Sequence, residues 1–145
     1  MNKIYEEFFK YGFHDTEISS IIIEEFKVKI NFDKGLYLLD VNGKETVLSE
    51  PMVLILNVNP STESIENNFD IREYGQEDIY VEFKDFQKYL NAEPFSISMN
   101  YYSEFSKSIL FDGGFSRRQF MFSIEEIIDI QFKKKNDNVI LNYIV

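Results

Sequence analysis

FHDTEISSIIIEEFKVKINFD, residues 13–33, is the stretch whose reading decides the fold. Its second half sets Phe26, Val28, Ile30 and Phe32 against Lys27, Lys29, Asn31 and Asp33 without a break. Successive side chains of a strand point to opposite faces, so this period of two describes a strand with one buried and one wet face. The first half predicts another strand over 17–24, joined to the second by a tight turn near Glu24-Glu25. Two antiparallel strands so joined begin a meander, and the chain on either side extends it.

Upstream, Ile4, Phe8 and Tyr11 fall at i, i+4 and i+7, with Asn2 placed to cap and Gly12 following. That spacing predicts a short helix through Tyr11, lying on the sheet by a narrow aromatic stripe. Downstream, Lys34-Gly35 marks a bend and 36–41 continues extended. Asn42-Gly43 then predicts a type I′ hairpin into Thr46-Val47-Leu48. Met52 to Leu56 is apolar on both faces and is expected as the most central strand, with Pro51 at its start. After a loop over 57–64, the segments 69–74 and 79–83 read as a hairpin whose outer face carries acids. Asp85 is placed to cap a helix over 86–91.

Phe95, Ile97, Met99 and Tyr101 alternate with Ser96, Ser98 and Asn100, which places those four apolar residues inward. Asp112-Gly113-Gly114 reads as a turn between 109–111 and 118–123, and Ser123-Ile124-Glu125-Glu126 as a capping box opening one helical turn. Ile128, Ile130 and Phe132 alternate in a further strand, and a turn over 134–138 leads into a last one over 139–145. The expected class is α+β: a predominantly antiparallel meander with a short N-terminal helix and one short internal helix, in a single domain over 1–145.

Fifteen Phe, nine Tyr and no Trp predict a core filled by rings, and rings favour strands. Without Cys there is no disulfide, thiol nucleophile or thiolate metal site. The longest apolar run, 52–56, is five residues, against roughly 20 for a bilayer span. The first residues lack the basic-then-apolar pattern of a signal peptide. The expectation is a soluble cytoplasmic protein. Net charge is −10, and from Glu45 to Glu82 nine acids face one base, Arg72. Phosphate backbones and anionic membranes attract clustered Lys and Arg, so neither nucleic acid nor membrane is an expected partner.

Chemistry has few places to start. His14-Asp15 could orient an imidazole, but it is the only histidine, and metal sites built from one His and carboxylates are uncommon. Adjacent acids such as Glu6-Glu7, Glu24-Glu25, Glu77-Asp78 and Glu125-Glu126 point to opposite faces of a strand and form no catalytic pair. No Gly-x-Ser-x-Gly elbow exists, and Gly113-Gly114 lacks a phosphate-loop context. Arg117-Arg118 between Phe115 and Phe120 reads as a hairpin flank, both arginines paired to nearby acids, rather than as a base-stacking site. The sequence therefore predicts no catalytic residue, metal or cofactor. His14 is expected to hydrogen-bond backbone while Asp15 or Thr16 caps the turn.

Phe13, His14, Asp15 and Ile18 carry a resemblance. The opening resembles a loose group of small bacterial proteins with a short helix, Phe-His-Asp, two residues, an Ile and then a β-meander. Several of these are immunity proteins of polymorphic-toxin systems. The resemblance covers the first third by motif and the remainder by strand-rich pattern. It implies a non-enzymatic protein that binds and blocks a toxin domain, and it supplies no catalytic residues.

The functional expectation is a protein-binding module that occludes a basic partner through its acidic face. The residues expected to do so are Glu66, Asp70, Glu73, Tyr74, Glu77, Asp78, Tyr80 and Glu82, since complementary charge speeds encounter and Tyr is enriched at interfaces. The alternative is a small enzyme or ligand-binding domain with a deep, ring-lined pocket converging on His14 and Asp15. A self-associating module such as a homodimer is the third reading.

Overall fold

The computed structural model describes residues 3–60, 63–75 and 77–135. The expected capping residue Asn2 and the expected last strand over 139–145 lie outside the described residues. Helix α1 (Lys3–Phe8) is followed by β1 (Tyr11–Gly12), β2 (Glu17–Ile18), β3 (Ser20–Glu24), β4 (Lys27–Phe32), β5 (Tyr37–Leu39), β6 (Glu45–Leu48) and β7 (Met52–Val58). A 3-10 turn (Ile65–Asn68) leads to β8 (Phe69–Tyr74), β9 (Ile79–Val81), helix α2 (Phe83–Ala92) and β10 (Phe95–Ser103). The described chain ends with β11 (Ser108–Phe115), β12 (Arg118–Ile124) and β13 (Ile127–Lys134). All pairings are antiparallel. The class is α+β as expected.

Three sheets result: β1-β5-β6, the six-stranded β2-β10-β11-β12-β8-β9 and the four-stranded β13-β7-β4-β3. Alternation over 26–32 holds in the middle of the stretch, with Val28, Ile30 and Phe32 buried and Lys27 exposed. It fails at two places: Phe26 lies in the β3–β4 turn and is exposed, and Asn31 is buried, its side chain donating to Ser20 Oγ. β7 is an inner strand of its sheet, and every residue from Met52 to Leu56 is buried. The two larger sheets meet through Phe13, whose ring centroid lies 5.7 Å from Phe32 and 5.5 Å from Phe111. Helix α2 lays Phe86 among Phe95, Phe115, Phe120 and Phe122, at centroid distances of 5.2–5.7 Å. Offset and edge-on ring pairs of this kind add roughly 0.5–1.5 kcal/mol beyond burial.

Several expectations fail for identifiable reasons. Helix α1 stops at Phe8, because Tyr11 and Gly12 pair with Leu38 and Tyr37 instead. A Cβ at Gly12 would sit 2.6 Å from the Glu45 carboxylate, a flexible side chain that would have to move aside. The strand expected over 17–24 is cut at Ser19. Glu17–Ile18 joins β10 while Ser20–Glu24 joins β4, and the Ser19 amide donates to Asn31.

Asn42-Gly43 forms no type I′ turn, since only Gly43 has positive φ (77°). The Gly43 amide donates to Asp40 O and the Asp40 amide to Lys44 O, which describes a three-residue loop with glycine in the left-handed position. Asp85 does not cap α2. The helix starts three residues earlier, which puts Phe83, Phe86 and Leu90 on one buried face, and burial of that face outweighs a cap. Gly113-Gly114 is no turn but part of β11, where Cβ atoms would lie 1.9 Å from Ser96 O and 2.2 Å from Arg118 O. The strands approach too closely there for any side chain. Ser123 to Glu126 makes no helical turn: β12 runs to Ile124, and Glu126 (φ 60°) is the turn residue immediately before β13.

The alternation over 95–101 is broken by a bulge between Ile97 and Met99. One extra residue reverses the parity, so Phe95, Ile97 and Tyr102 are buried whereas Met99 and Tyr101 are 52% and 60% exposed. A second bulge between Ile127 and Asp129 turns Ile128 outward, while Ile127 and Ile130 stay in the core.

Candidate functional site

The hairpin β8–β9 forms as expected and lies at one edge of the six-stranded sheet. Phe69 and Ile71 point into the core, leaving Asp70, Arg72 and Tyr74 on the outer face. Strand register continues that face across the sheet. Tyr80, Arg72, Met121, Asp112 and Met99 form one row, and Asp70, Ser123, Leu110 and Tyr101 the next. Met99, Tyr101 and Tyr80 are each more than half exposed. Sequence alternation missed Met99 and Tyr101 as surface residues, because nothing local in 95–101 announces the bulge. Tyr74 stands at the margin of this face. Partial burial, followed by the charges of Asp112 and Asp78, raises its hydroxyl pKa above the ordinary tyrosine value.

The eight expected partner-binding residues do not form one acidic face. Asp70 bonds Arg72 at 3.0 Å, and that contact raises the arginine's pKa further. Glu73 points to the helix side and holds Arg118 through both carboxylate oxygens, at 3.0 and 3.1 Å. The Arg118 guanidinium in turn sits 4.8 Å from the centre of the Tyr89 ring. Glu82 precedes α2 and lies 3.4 Å from Lys84. Glu66 belongs to the 3-10 turn before β8, roughly 17 Å along that strand from the hairpin tip at about 3.4 Å per residue. Glu77, Asp78, Tyr74 and Tyr80 are the members that the fold brings together. Glu77 and Asp78 have no ion-pair partner among the described residues, and a hollow of about 360 Å³ lies between Glu73, Tyr74, Gly75, Glu77 and Ile79.

No match was found with any protein-family model, curated protein or solved structure.

The Phe13–Ile18 motif is a turn anchored on β10. Phe13 and Ile18 are fully buried, the Thr16 hydroxyl donates to Phe13 O, and the Asp15 amide donates to Ile97 O. Asp15 adopts φ 61°. Among the described residues His14 has no backbone hydrogen-bond partner, against the expectation that it would bond the backbone. It is exposed, and its Nδ1 lies 3.2 Å from Asp15 Oδ2. The deep cavity that the ligand-binding alternative requires does not converge on this pair. Asp15 borders an open depression of about 300 Å³ with Glu17, Lys34 and Leu48, and His14 does not line it. Among the described residues no three His, Asp or Glu side chains cluster as metal ligands would.

Proposed function

We propose that this protein is a non-enzymatic binding module that occludes a basic protein partner, in the manner of the immunity proteins that Phe13, His14, Asp15 and Ile18 resemble. One observation carries the reading: at the tip of β8–β9, Glu77 lines the hollow at Tyr74 and, like Asp78 next to it, makes no close ion pair among the described residues, although the charge of Asp78 reaches Arg72, and the exposed Tyr80 follows two residues on. The two carboxylates attract a cationic surface over a Debye length, and the rings supply area once contact is made. Charge therefore governs the on-rate and the tyrosines the off-rate.

The test is kinetic. A partner isolated on the immobilised full chain is purified, and its association is followed at several salt concentrations. Glu77→Lys with Asp78→Lys should slow association by about tenfold at low salt, and the wild-type rate should fall steeply as salt rises. A salt-independent rate, or an unaffected double variant, removes the proposal.

A further inference from the structure

At the opposite end of β8 from the hairpin tip, four connections come together. The carbonyl of Phe26, in the β3–β4 turn, accepts from Val58. Val58 pairs with Ile127, and the Ile127 amide donates to Lys107 O in the β10–β11 turn. The fully buried Asn68 side chain donates to Asn59 O and Glu125 O, which fastens the 3-10 turn to the β12–β13 turn.

Three kinds of surface feature coincide here. Phe26 (61%) and Phe105 (100%) are the exposed phenylalanines of the molecule, and both lie on these turns. Ile128, displaced by its bulge, is 61% exposed beside them. A notch of about 260 Å³ opens between Ile4, Asn59, Lys107, Glu126, Ile127 and Ile128. Around these apolar groups the turns carry Glu25, Glu66, Glu104, Glu125 and Glu126 against Lys27 and Lys107, an excess of three negative charges. None of the five acids has an ion-pair partner among the described residues. From Phe26 to Lys107 the row crosses three strand spacings, roughly 15 Å, the scale of a short docked segment rather than of a whole domain.

We infer that this end is a second docking surface, whose occupant is a basic protein segment that sets an apolar side chain in the notch and meets Phe26 and Phe105 with its own apolar face. The inference rests on reading the chain as a binding module, but on none of the residues that reading uses. Charge selects the occupant: a second copy of this chain would bring the same negative excess to the contact and be repelled, whereas a cationic surface is attracted. Exposed apolar side chains on neighbouring turns, with acids around them, have the arrangement of an interface centre and rim. Asn68 fixes the 3-10 turn to the β12–β13 turn, and the Val58 and Ile127 amides hold the carbonyls of Phe26 and Lys107, so little ordering is needed on binding.

The probe is a synthetic amphipathic peptide of Lys and Leu, with oligolysine of equal length as control. Each is titrated into the full-length ¹⁵N-labelled protein and followed by amide chemical shifts. Shifts should gather on residues 24–27, 57–59, 104–108 and 125–129. Phe26→Ser with Phe105→Ser should weaken the Lys/Leu peptide about tenfold with an unchanged melting temperature, since both rings are exposed, and Glu77→Lys with Asp78→Lys should change its affinity less than about twofold. Shifts confined to the β8–β9 tip would overturn this surface while leaving the hairpin proposal standing. Equal affinity of oligolysine and the Lys/Leu peptide, an unaffected phenylalanine double variant, or a wild-type dimer that this variant dissociates would overturn it too. Absence of binding overturns it as well, and the hairpin reading keeps its separate kinetic test.

Discussion

Tyr102 carries a conflict between its ring and its hydroxyl. The ring packs 6.2 Å from Tyr5 and 6.4 Å from Phe8, while the hydroxyl is buried with no hydrogen-bond partner among the described residues. A buried polar group left unmatched costs about 1–3 kcal/mol. Tyr102→Phe keeps the ring and should stabilise the protein by about 1 kcal/mol, read as a higher urea midpoint with an unchanged slope. Burial, and then the charge of Glu104, raise the hydroxyl's pKa in the folded state. The folded state therefore holds this proton more tightly than the unfolded chain does: stability is independent of the group below the unfolded tyrosine pKa of about 10 and falls as pH climbs from there through the higher folded value. Above pH ~10 the wild type should lose stability more steeply than Tyr102→Phe. The difference will not remove the whole slope, because Tyr74 is raised as well. A wild type that loses stability no more steeply than Tyr102→Phe would show that the hydroxyl's pKa is not raised in the folded state.

Strands show where local pattern carries information and where it stops. β4 and β7 were legible, since alternation and an unbroken apolar run respectively report one buried face and two. β10 was legible only as far as Ile97. Its bulge is set by how β11 approaches, and the side chains of 95–101 keep the same period whether or not a residue is squeezed out. Gly113-Gly114 was misread because a glycine pair signals a turn and equally a close backbone approach. Pairing of Arg118 with a nearby acid was legible, but nothing in 69–83 announces that the acid is Glu73. The bulge makes a sharp prediction. Met99→Lys and Tyr101→Lys should change stability by less than about 0.5–1 kcal/mol, whereas Ile97→Lys should prevent folding by burying an unpaired charge. Chemical denaturation and amide spectra of the three variants decide it, and equal damage at 97 and 99 would mean that the parity is not reversed.

For the molecule as a whole, rings supply cohesion and charge opposes it. The ion pairs are mostly solvent-exposed, with contacts such as Lys34–Glu17 at 2.8 Å and Lys29–Glu24 at 2.7 Å. Pairs of that kind contribute about 0–1 kcal/mol each. A net charge of −10, with unpaired acids at both ends of β8, repels itself in the compact state. Screening should therefore help more than it harms, and the melting temperature should rise from 10 mM to about 300 mM NaCl, where the Debye length shrinks from about 30 to 6 Å. A falling melting temperature would mean that the ion pairs outweigh the repulsion.

The cut at Ser19 has a consequence for how the chain is made. Ile18 takes its place only when Phe95 is available to pair with it, and a ribosome adding about 5–20 residues per second needs roughly 4–16 s for the intervening ~80 residues. During that interval β3 and β4 are free to close as a local hairpin, while Phe13 and Ile18 have no sheet to enter. The nascent chain thus leaves the exit tunnel with its aromatic keystone unseated, a window in which a chaperone that grasps greasy segments has something to hold.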